Sequence, residues 1–173
     1  MALIFQYGSN TYTKRLISPE RLGGTATSPG LAYTQERFEL AFTYYSGTNQ
    51  CGTADLLSNG SRQIYGVLYD IPDNRVYRDS GSEHITLDKI EGEGSAYQRI
   101  PITVVLADKP NETFEAITYI VKERFSNVQT QTNYVSHIIS GLREHSAPDE
   151  YISYVKARAI KSNPALVKEL NAL

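Results

Sequence analysis

The chain opens with the apolar run Ala2-Leu3-Ile4-Phe5-Gln6-Tyr7, and Gly8-Ser9-Asn10 follows directly. The apolar run predicts a short strand, and the three small or polar residues predict the loop that ends it. Glycine lets a backbone approach a ligand closely, and consecutive amides in such a turn can hold an anion. Taken alone, however, Gly, Ser and Asn are also the usual residues of a plain turn after a strand. The loop is a candidate site only in combination with other residues.

Further strands are predicted downstream of this opening segment. Alternating polar and apolar residues or β-rich runs mark residues 37–42, 53–57, 64–71, 97–107 and 114–122. We expect a turn at Asn59-Gly60-Ser61. Pro72 ends the predicted strand over residues 64–71. Gly66 lies inside a predicted strand, where glycine often marks a bulge or a close backbone approach. Residues 11–29 look mixed, with one helical turn at most.

The helical patterns are short in the middle of the chain and long at its end. Residues 73–82 are expected to form a polar loop, and residues 83–91 a short helix that ends before Gly92. From Gln131 onward apolar residues recur at helical spacing, Pro148 separates two helices, and Pro164 begins a last short one. Strands first and helices last predict an α+β fold, with a mostly antiparallel sheet that can close into a small barrel.

Length and composition indicate one ordinary globular domain over residues 1–173. Hydrophobic residues make up 40% of the chain and charged residues 21%. Cys51 is the only cysteine, so no internal disulfide is possible, and we interpret it as a structural thiol. No leader or long apolar run is found, which predicts a cytoplasmic protein that does not enter a membrane. The net charge of −2 and the lack of a basic run argue against nucleic acid as a partner.

Glu91 is the second candidate functional residue, at the end of the predicted short helix. The negative end of a helix dipole and burial both disfavour an ionised carboxylate, so both raise its pKa toward neutral pH. A carboxylate of this kind can serve as a general base. Asp88 and Glu93 are the alternatives, on another helix face and in the following loop. Alone, a Glu before a helix-ending Gly is more often a solvated helix end.

Other kinds of site find no support in the sequence. The three histidines, His84, His137 and His145, are scattered, and no spacing of His, Cys and carboxylates suits zinc. The glycine patterns of phosphate loops and dinucleotide sites are missing, as is the Gly-x-Ser-x-Gly elbow. We therefore expect no metal and no cofactor.

The two candidate sites belong to an ordered set of segments that resembles the γ-glutamyl cyclotransferase-like superfamily, which includes the AIG2-like proteins and the butirosin-pathway cyclotransferase. The similarity covers nearly the whole chain, with residues 11–30 as the doubtful stretch. The matching segments are residues 5–10 (opening strand and substrate loop), 64–69 (aromatic-Gly-Val strand), 87–92 (short helix with the catalytic acid), 97–104 (the next strand) and 134–151 (closing helices).

This resemblance implies a small, mixed, mostly antiparallel β-barrel flanked by helices, with a helical C-terminus. It also implies a reaction in which the substrate's α-amine attacks its own γ-glutamyl carbonyl, giving 5-oxoproline and a released amine or amino acid. By position, Glu91 would be the catalytic acid and base. The loop Tyr7, Gly8, Ser9 and Asn10 would hold the glutamyl group, and Tyr97 and Tyr134 would line the pocket.

Two departures and two alternatives remain open from the sequence. Thr11 replaces the apolar residue that often follows the loop, and residues 71–83 form a longer connection containing Arg75 and Arg78. This connection could shape the leaving-group side of the pocket, but we favour a solvated insertion.

The same fold could instead be a non-catalytic domain that binds a small ligand or partner, since fold does not imply function. It could also perform a cyclisation step on a larger biosynthetic substrate. The sequence is silent on the oligomeric state.

Overall fold

The structure is a computed structural model that describes residues 1–173 except for the side chain of Ser80. Its seven strands form a closed barrel and a separate hairpin. The strands are β1 (Ala2–Gln6), β2 (Thr27–Thr34), β3 (Phe38–Ser46), β4 (Cys51–Arg62), β5 (Tyr65–Ile71), β6 (Tyr97–Leu106) and β7 (Thr113–Val121). The barrel order is β1-β5-β2-β6-β7, while β3 and β4 pair only with each other. All barrel pairs are antiparallel except β1 with β7, which meet in parallel at Ile4 and Ile117.

Strand β1 is apolar from Ala2 to Phe5 because both of its faces are covered. Phe5 belongs to one buried apolar cluster, shared with the long C-terminal helices, and Ile4 belongs to a second cluster on the opposite face. A strand buried on two sides has no solvent face, so its sequence shows a continuous apolar run rather than alternation. This burial fixes the position of the loop that follows it.

Helices flank the barrel, and two of them, at residues 13–16 and 132–144, pack on the loop after β1. They are α1 (Thr13–Leu16), α2 (Asp73–Val76), α3 (Leu87–Glu91), α4 (Thr132–Glu144), α5 (Asp149–Ser162) and α6 (Val167–Ala172), with 3₁₀ turns at Ser9–Thr11, Arg78–Ser80 and Pro164–Leu166. Helix α4 touches the first of these turns, because Thr11 Oγ1 donates to the Ile138 carbonyl oxygen at 3.3 Å. A Cβ at Gly141 would lie 2.2 Å from the Thr11 carbonyl carbon, so this close approach requires glycine.

The α+β barrel with a helical C-terminus confirms the predicted fold class, but two local predictions were wrong. Residues 27–34 form β2, although residues 11–29 were predicted to be mixed with one helical turn at most, and no strand was predicted over residues 30–34. Pro29 and Gly30 are accommodated where the register with β5 shifts, and Gly30 has φ of 134°. The turn expected at residues 59–61 is part of β4. A Cβ on Gly60 would lie 1.7 Å from the Phe38 carbonyl carbon, so this glycine allows a close strand contact.

The middle of the chain also differs from the prediction. Helix α3 has only five residues and does not begin at residue 83, and residues 73–82 contain α2 and a 3₁₀ turn. The interpretation of this connection as a solvated insertion was wrong for Arg75, which is buried and donates through Nη2 to the Arg21 carbonyl oxygen at 3.4 Å. Arg78 is exposed. Among the described residues no helix is long and apolar enough to span a bilayer.

Candidate active site

The end of β1 and the end of α3 meet at a cavity of about 320 Å³. Its walls come from the loop after β1, α1, the C-terminal end of α3, the tip of the β3–β4 hairpin and one residue of α4. A small recess of about 30 Å³ shares several of its lining residues. The seven residues predicted from the sequence all line the cavity or the recess: Tyr7, Gly8, Ser9, Asn10, Glu91, Tyr97 and Tyr134. The structure therefore brings together the two candidate segments, which are about 80 residues apart in sequence.

Glu91 contacts the loop directly. Asn10 Nδ2 donates to Glu91 Oε1 at 2.7 Å, and Gln6 Nε2 lies 3.4 Å from the same oxygen. The Asn10 side chain is oriented in turn by Arg21, whose Nη2 donates to Asn10 Oδ1 at 2.6 Å. This chain of contacts joins a guanidinium to the carboxylate through one amide, so Asn10 can present only its NH₂ group to Glu91.

Local chain geometry places Glu91 at the cavity. Thr86 caps α3 by accepting a hydrogen bond from the Lys89 amide, and Gly92 ends the helix with φ of 64°. A residue in this left-handed conformation turns the chain sharply, and glycine adopts it without strain. Glu91 is the last helical residue and is thus held between the helix and the barrel.

Burial raises the pKa of Glu91 above its ordinary value. The positive charge of Arg21 and the hydrogen bonds from Asn10 and Gln6 act in the opposite direction, because they favour the ionised form. Burial has the largest effect, as expected for a carboxyl group in a protein cavity. A raised pKa suits a group that must both accept and return a proton near neutral pH.

The two alternative carboxylates have other partners. Asp88 is 1% exposed, and it accepts hydrogen bonds from Tyr119 Oη at 2.7 Å and from the Arg78 amide at 2.9 Å. It also pairs with Arg99 Nε at 3.1 Å. Glu93 lies 3.9 Å from the same Arg99 nitrogen. Neither carboxylate lines the cavity as it is formed by the described residues, so Glu91 is the candidate proton carrier.

The tyrosines form a rigid wall because their hydroxyl groups are bound to the protein. Tyr7 Oη donates to the Tyr119 carbonyl oxygen at 2.6 Å, and Tyr97 Oη donates to the Ala54 carbonyl oxygen at 2.8 Å. Tyr134 Oη accepts a hydrogen bond from the Ala54 amide at 3.1 Å. Burial is the largest cause that raises the pKa of Tyr7, Tyr97 and Tyr134, so all three stay protonated at neutral pH. They can shape the cavity but cannot act as bases.

The loop itself offers backbone donors. The 3₁₀ turn begins at Ser9, and the first N–H groups of any helical turn have no partner within it. A Cβ on Gly8 would lie 3.3 Å from Tyr134 Oη and 3.4 Å from Ala54 Cβ, so a side chain there would press on the tyrosine. Glycine at this position therefore lets the loop pack closely on Tyr134.

Sequence reasoning missed two cavity residues, Arg15 and Arg21, and the hairpin tip formed by Ser46, Gly47, Thr48 and Asn49. Both arginines lie in the stretch that was predicted only as mixed. No short motif marks them, because they reach the cavity through the turns that follow Asn10. The hairpin tip lines the cavity, whereas no described residue of the stretch 73–82 does. Among the side chains that the structure describes, no cluster of three His, Cys, Asp or Glu residues could hold a metal ion.

Comparison with solved structures identifies the class of fold. The chain superimposes on a gamma-glutamyl cyclotransferase with a TM-score of 0.75 at 23% identity, covering 90% of this chain and 86% of that one. An uncharacterized protein from Homo sapiens gives a TM-score of 0.74 at 25% identity with the same coverage. YkqA from Bacillus subtilis gives 0.73 at 21% identity, with 91% of this chain and 54% of that protein covered.

Comparison with protein families identifies the chain more closely. A comparison with curated proteins gave no significant match. The model of the AIG2-like family matches residues 63–155, which is more than half of the chain. The protein belongs to the AIG2-like family, and the resemblance inferred from the sequence is confirmed.

Proposed function

We propose that this protein is a γ-glutamyl cyclotransferase-like enzyme that converts a γ-glutamyl amine or γ-glutamyl amino acid to 5-oxoproline. The observation that carries the proposal is the contact of Glu91 Oε1 with Asn10 Nδ2 at 2.7 Å, inside a cavity large enough for such a substrate. Membership of the AIG2-like family and the fold shared with a gamma-glutamyl cyclotransferase support it.

The proposed reaction needs one proton carrier and a folded substrate. The α-ammonium group of the substrate gives a proton to the Glu91 carboxylate and becomes a free amine. Its nitrogen forms a bond to the γ-carbonyl carbon, and the bond from that carbon to the leaving nitrogen then breaks. Glu91 returns this proton to the leaving nitrogen as its bond to the carbonyl carbon breaks. The nitrogen of the new ring still carries one proton too many, which Glu91 takes up and passes to the released amine, so that the amine leaves as an ammonium ion. Two protons have then moved from the attacking nitrogen to the leaving nitrogen, and the carboxylate is regenerated for the next cycle.

The cavity supplies what such a reaction requires. Nucleophile and electrophile lie in one molecule, so the enzyme accelerates the reaction mainly by holding the substrate in an attacking conformation. We assign to the amides of Gly8, Ser9 and Asn10 the binding of the glutamyl group or of the oxygen on which negative charge develops, and the position of these residues at the cavity and its recess supports this assignment. The bound hydroxyls of Tyr97 and Tyr134 keep the wall rigid. No metal or cofactor is needed for this chemistry, and the proposed partner is a small molecule in the cytoplasm.

The test compares the wild type with Glu91→Gln and with Glu93→Gln as a matched control. Each variant is incubated with γ-glutamyl dipeptides and γ-glutamyl amines, and 5-oxoproline is measured. We expect turnover by the wild type and by Glu93→Gln, and a loss of about 10²- to 10⁴-fold in Glu91→Gln, the usual contribution of a general acid or base.

Two results would contradict the proposal in different ways. Turnover in Glu91→Gln equal to that of the wild type would remove the catalytic role of this residue. No product from any substrate, with a correctly folded wild type, would favour the non-catalytic binding domain.

A further inference from the structure

Two arginines face the cavity without a carboxylate partner. Arg15 Nη2 donates to Asn49 Oδ1 at 3.0 Å, on the tip of the β3–β4 hairpin, and Arg21 Nη2 donates to Asn10 Oδ1. Among the described side chains, neither guanidinium has a carboxylate within ion-pair distance. In the same part of the structure, the Nε atom of each is buried and has no hydrogen-bond partner.

The charges in the cavity do not balance. Burial lowers the pKa of Arg21, and the positive charge of Arg15 lowers it further, so the two cations are close enough to repel each other. Glu91 is the one carboxylate among the described residues that line the cavity. With Glu91 ionised, the positive charges of Arg15, Arg21 and Lys89 face one negative charge. A bound anion would relieve the repulsion between the two arginines.

The candidate substrates differ in the charge that they bring. Every γ-glutamyl compound carries one α-carboxylate and one α-ammonium, so a γ-glutamyl derivative of a simple amine is neutral overall. A γ-glutamyl amino acid has a second carboxylate, on its leaving group, and a net charge of −1. The second class therefore complements the excess positive charge of the cavity.

The two arginines are held by different parts of the cavity wall. Arg21 is held to Asn10 and through it to Glu91, beside the reacting atoms. Among the described side chains, Arg15 is held by the neutral amide of Asn49 alone. A carboxylate is a stronger partner for a guanidinium than an amide oxygen. A carboxylate in the cavity can therefore take the place of Asn49 Oδ1 as the acceptor for Arg15 Nη2.

We propose that Arg15 binds a carboxylate on the leaving group, so that the enzyme prefers γ-glutamyl amino acids to γ-glutamyl amines. This inference rests on the proposed cyclotransferase function and adds to it a preference between the two classes of substrate. The binding site for the leaving group is then formed by Arg15 and the β3–β4 hairpin tip, and Arg21 serves the glutamyl end that both substrate classes share.

The test uses two substrates that differ only by the carboxylate, γ-glutamyl-alanine and the γ-glutamyl derivative of ethylamine. We expect the wild-type kcat/KM to favour the alanine substrate by about 10- to 100-fold, the range for a hydrogen-bonded charged group. Arg15→Gln should remove most of this preference by slowing the alanine substrate alone. Arg21→Gln should slow both substrates by similar factors. Lys14→Gln, which removes an exposed positive charge next to Arg15, is the matched control and should keep the preference.

Several results would overturn the inference while leaving the proposed reaction intact. These are an equal kcat/KM for both substrates in the wild type, an equal loss for both in Arg15→Gln, or a preference abolished only by Arg21→Gln. Thermal unfolding checks that each variant folds. If Arg15→Gln does not fold, Arg15→Lys replaces it, and it should lose part of the preference because lysine lacks the bidentate fork.

A binding measurement separates this inference from the reaction itself. Both compounds are titrated calorimetrically into the wild type and into Arg15→Gln. If neither compound is turned over but the alanine compound binds more tightly in the wild type only, the carboxylate site stands although the proposed reaction fails. Equal binding of both compounds, or no binding of either, overturns the site.

Discussion

Asp88→Asn should destabilise the protein without stopping the reaction. Glu91→Gln, the corresponding change from carboxylate to amide, should largely stop the reaction without destabilising the protein. The two carboxylates lie on one five-residue helix but have different surroundings. Asp88 uses both of its carboxylate oxygens. Oδ1 accepts a hydrogen bond from Tyr119 and pairs with Arg99. Oδ2 accepts a hydrogen bond from the Arg78 amide. An Asn side chain keeps one oxygen and turns an NH₂ group toward a remaining donor.

The size of this effect follows from those contacts. A buried donor left without an acceptor costs about 1–3 kcal/mol. Loss of the charge opposite Arg99, which is about one-third exposed, adds up to about 1 kcal/mol. The free energy of unfolding should therefore fall by about 1–4 kcal/mol, which for a chain of this length lowers the Tm by about 2–16 °C.

Thermal unfolding and the 5-oxoproline assay, both applied to Asp88→Asn and Glu91→Gln, test the reasoning. Asp88→Asn should unfold at a lower temperature and retain near wild-type turnover per folded molecule. Glu91→Gln should show the loss of turnover of about 10²- to 10⁴-fold given above and be at least as stable as the wild type, because burial disfavours the charge that it removes. A folded but inactive Asp88→Asn variant, or an equal loss of stability in both variants, would refute this division of roles.

Three further predictions concern pH and packing. Because burial raises the pKa of Glu91, its contribution to stability is fully present below the unfolded value of 4.5 and is lost as pH rises through the folded value. The Tm of Glu91→Gln relative to the wild type should thus increase with pH above 4.5, and a constant difference would contradict this. Asn10→Ala removes a hydrogen bond that lowers the pKa of Glu91, so the acidic limb of the kcat/KM profile should move to higher pH; an unmoved limb would count against the contact. Gly66→Ala should cost about 1–3 kcal/mol in urea unfolding, since its Cβ would lie 2.3 Å from the Gln6 carbonyl oxygen. Gly47→Ala, with open space around its Cβ, is the control and should match the wild type.

The fold was largely predictable because its main signals are local. The apolar run of β1, the helical spacing in α4 and the glycine after Glu91 each act within a few residues. Strand β2 was missed because Pro29 and Gly30 normally break a strand, and only pairing with β5 shows that they lie at a register shift. Patterns along one chain do not report such pairing.

The candidate site was predictable in part because local sequence signals mark two of its segments. Its two segments carry recognisable residues, but Asp88 and Glu91 could be separated only by knowing which neighbours each one meets. Arg15 and Arg21 could not have been found, since their approach to the cavity depends on the turns after Asn10 and on the hairpin tip. Long-range geometry, rather than residue type, decides these positions.

The pairing of β1 with distant strands has a consequence for how the protein becomes active. Thr118 Oγ1 on β7 donates to the Phe5 carbonyl oxygen across 113 residues of sequence. Such non-local contacts form slowly, because a long segment must be ordered before they are gained. A nascent or refolding chain that has not yet placed β1 between β5 and β7 has no fixed loop opposite Glu91. Recovery of turnover should therefore be among the last events of folding, lagging behind the recovery of helical content.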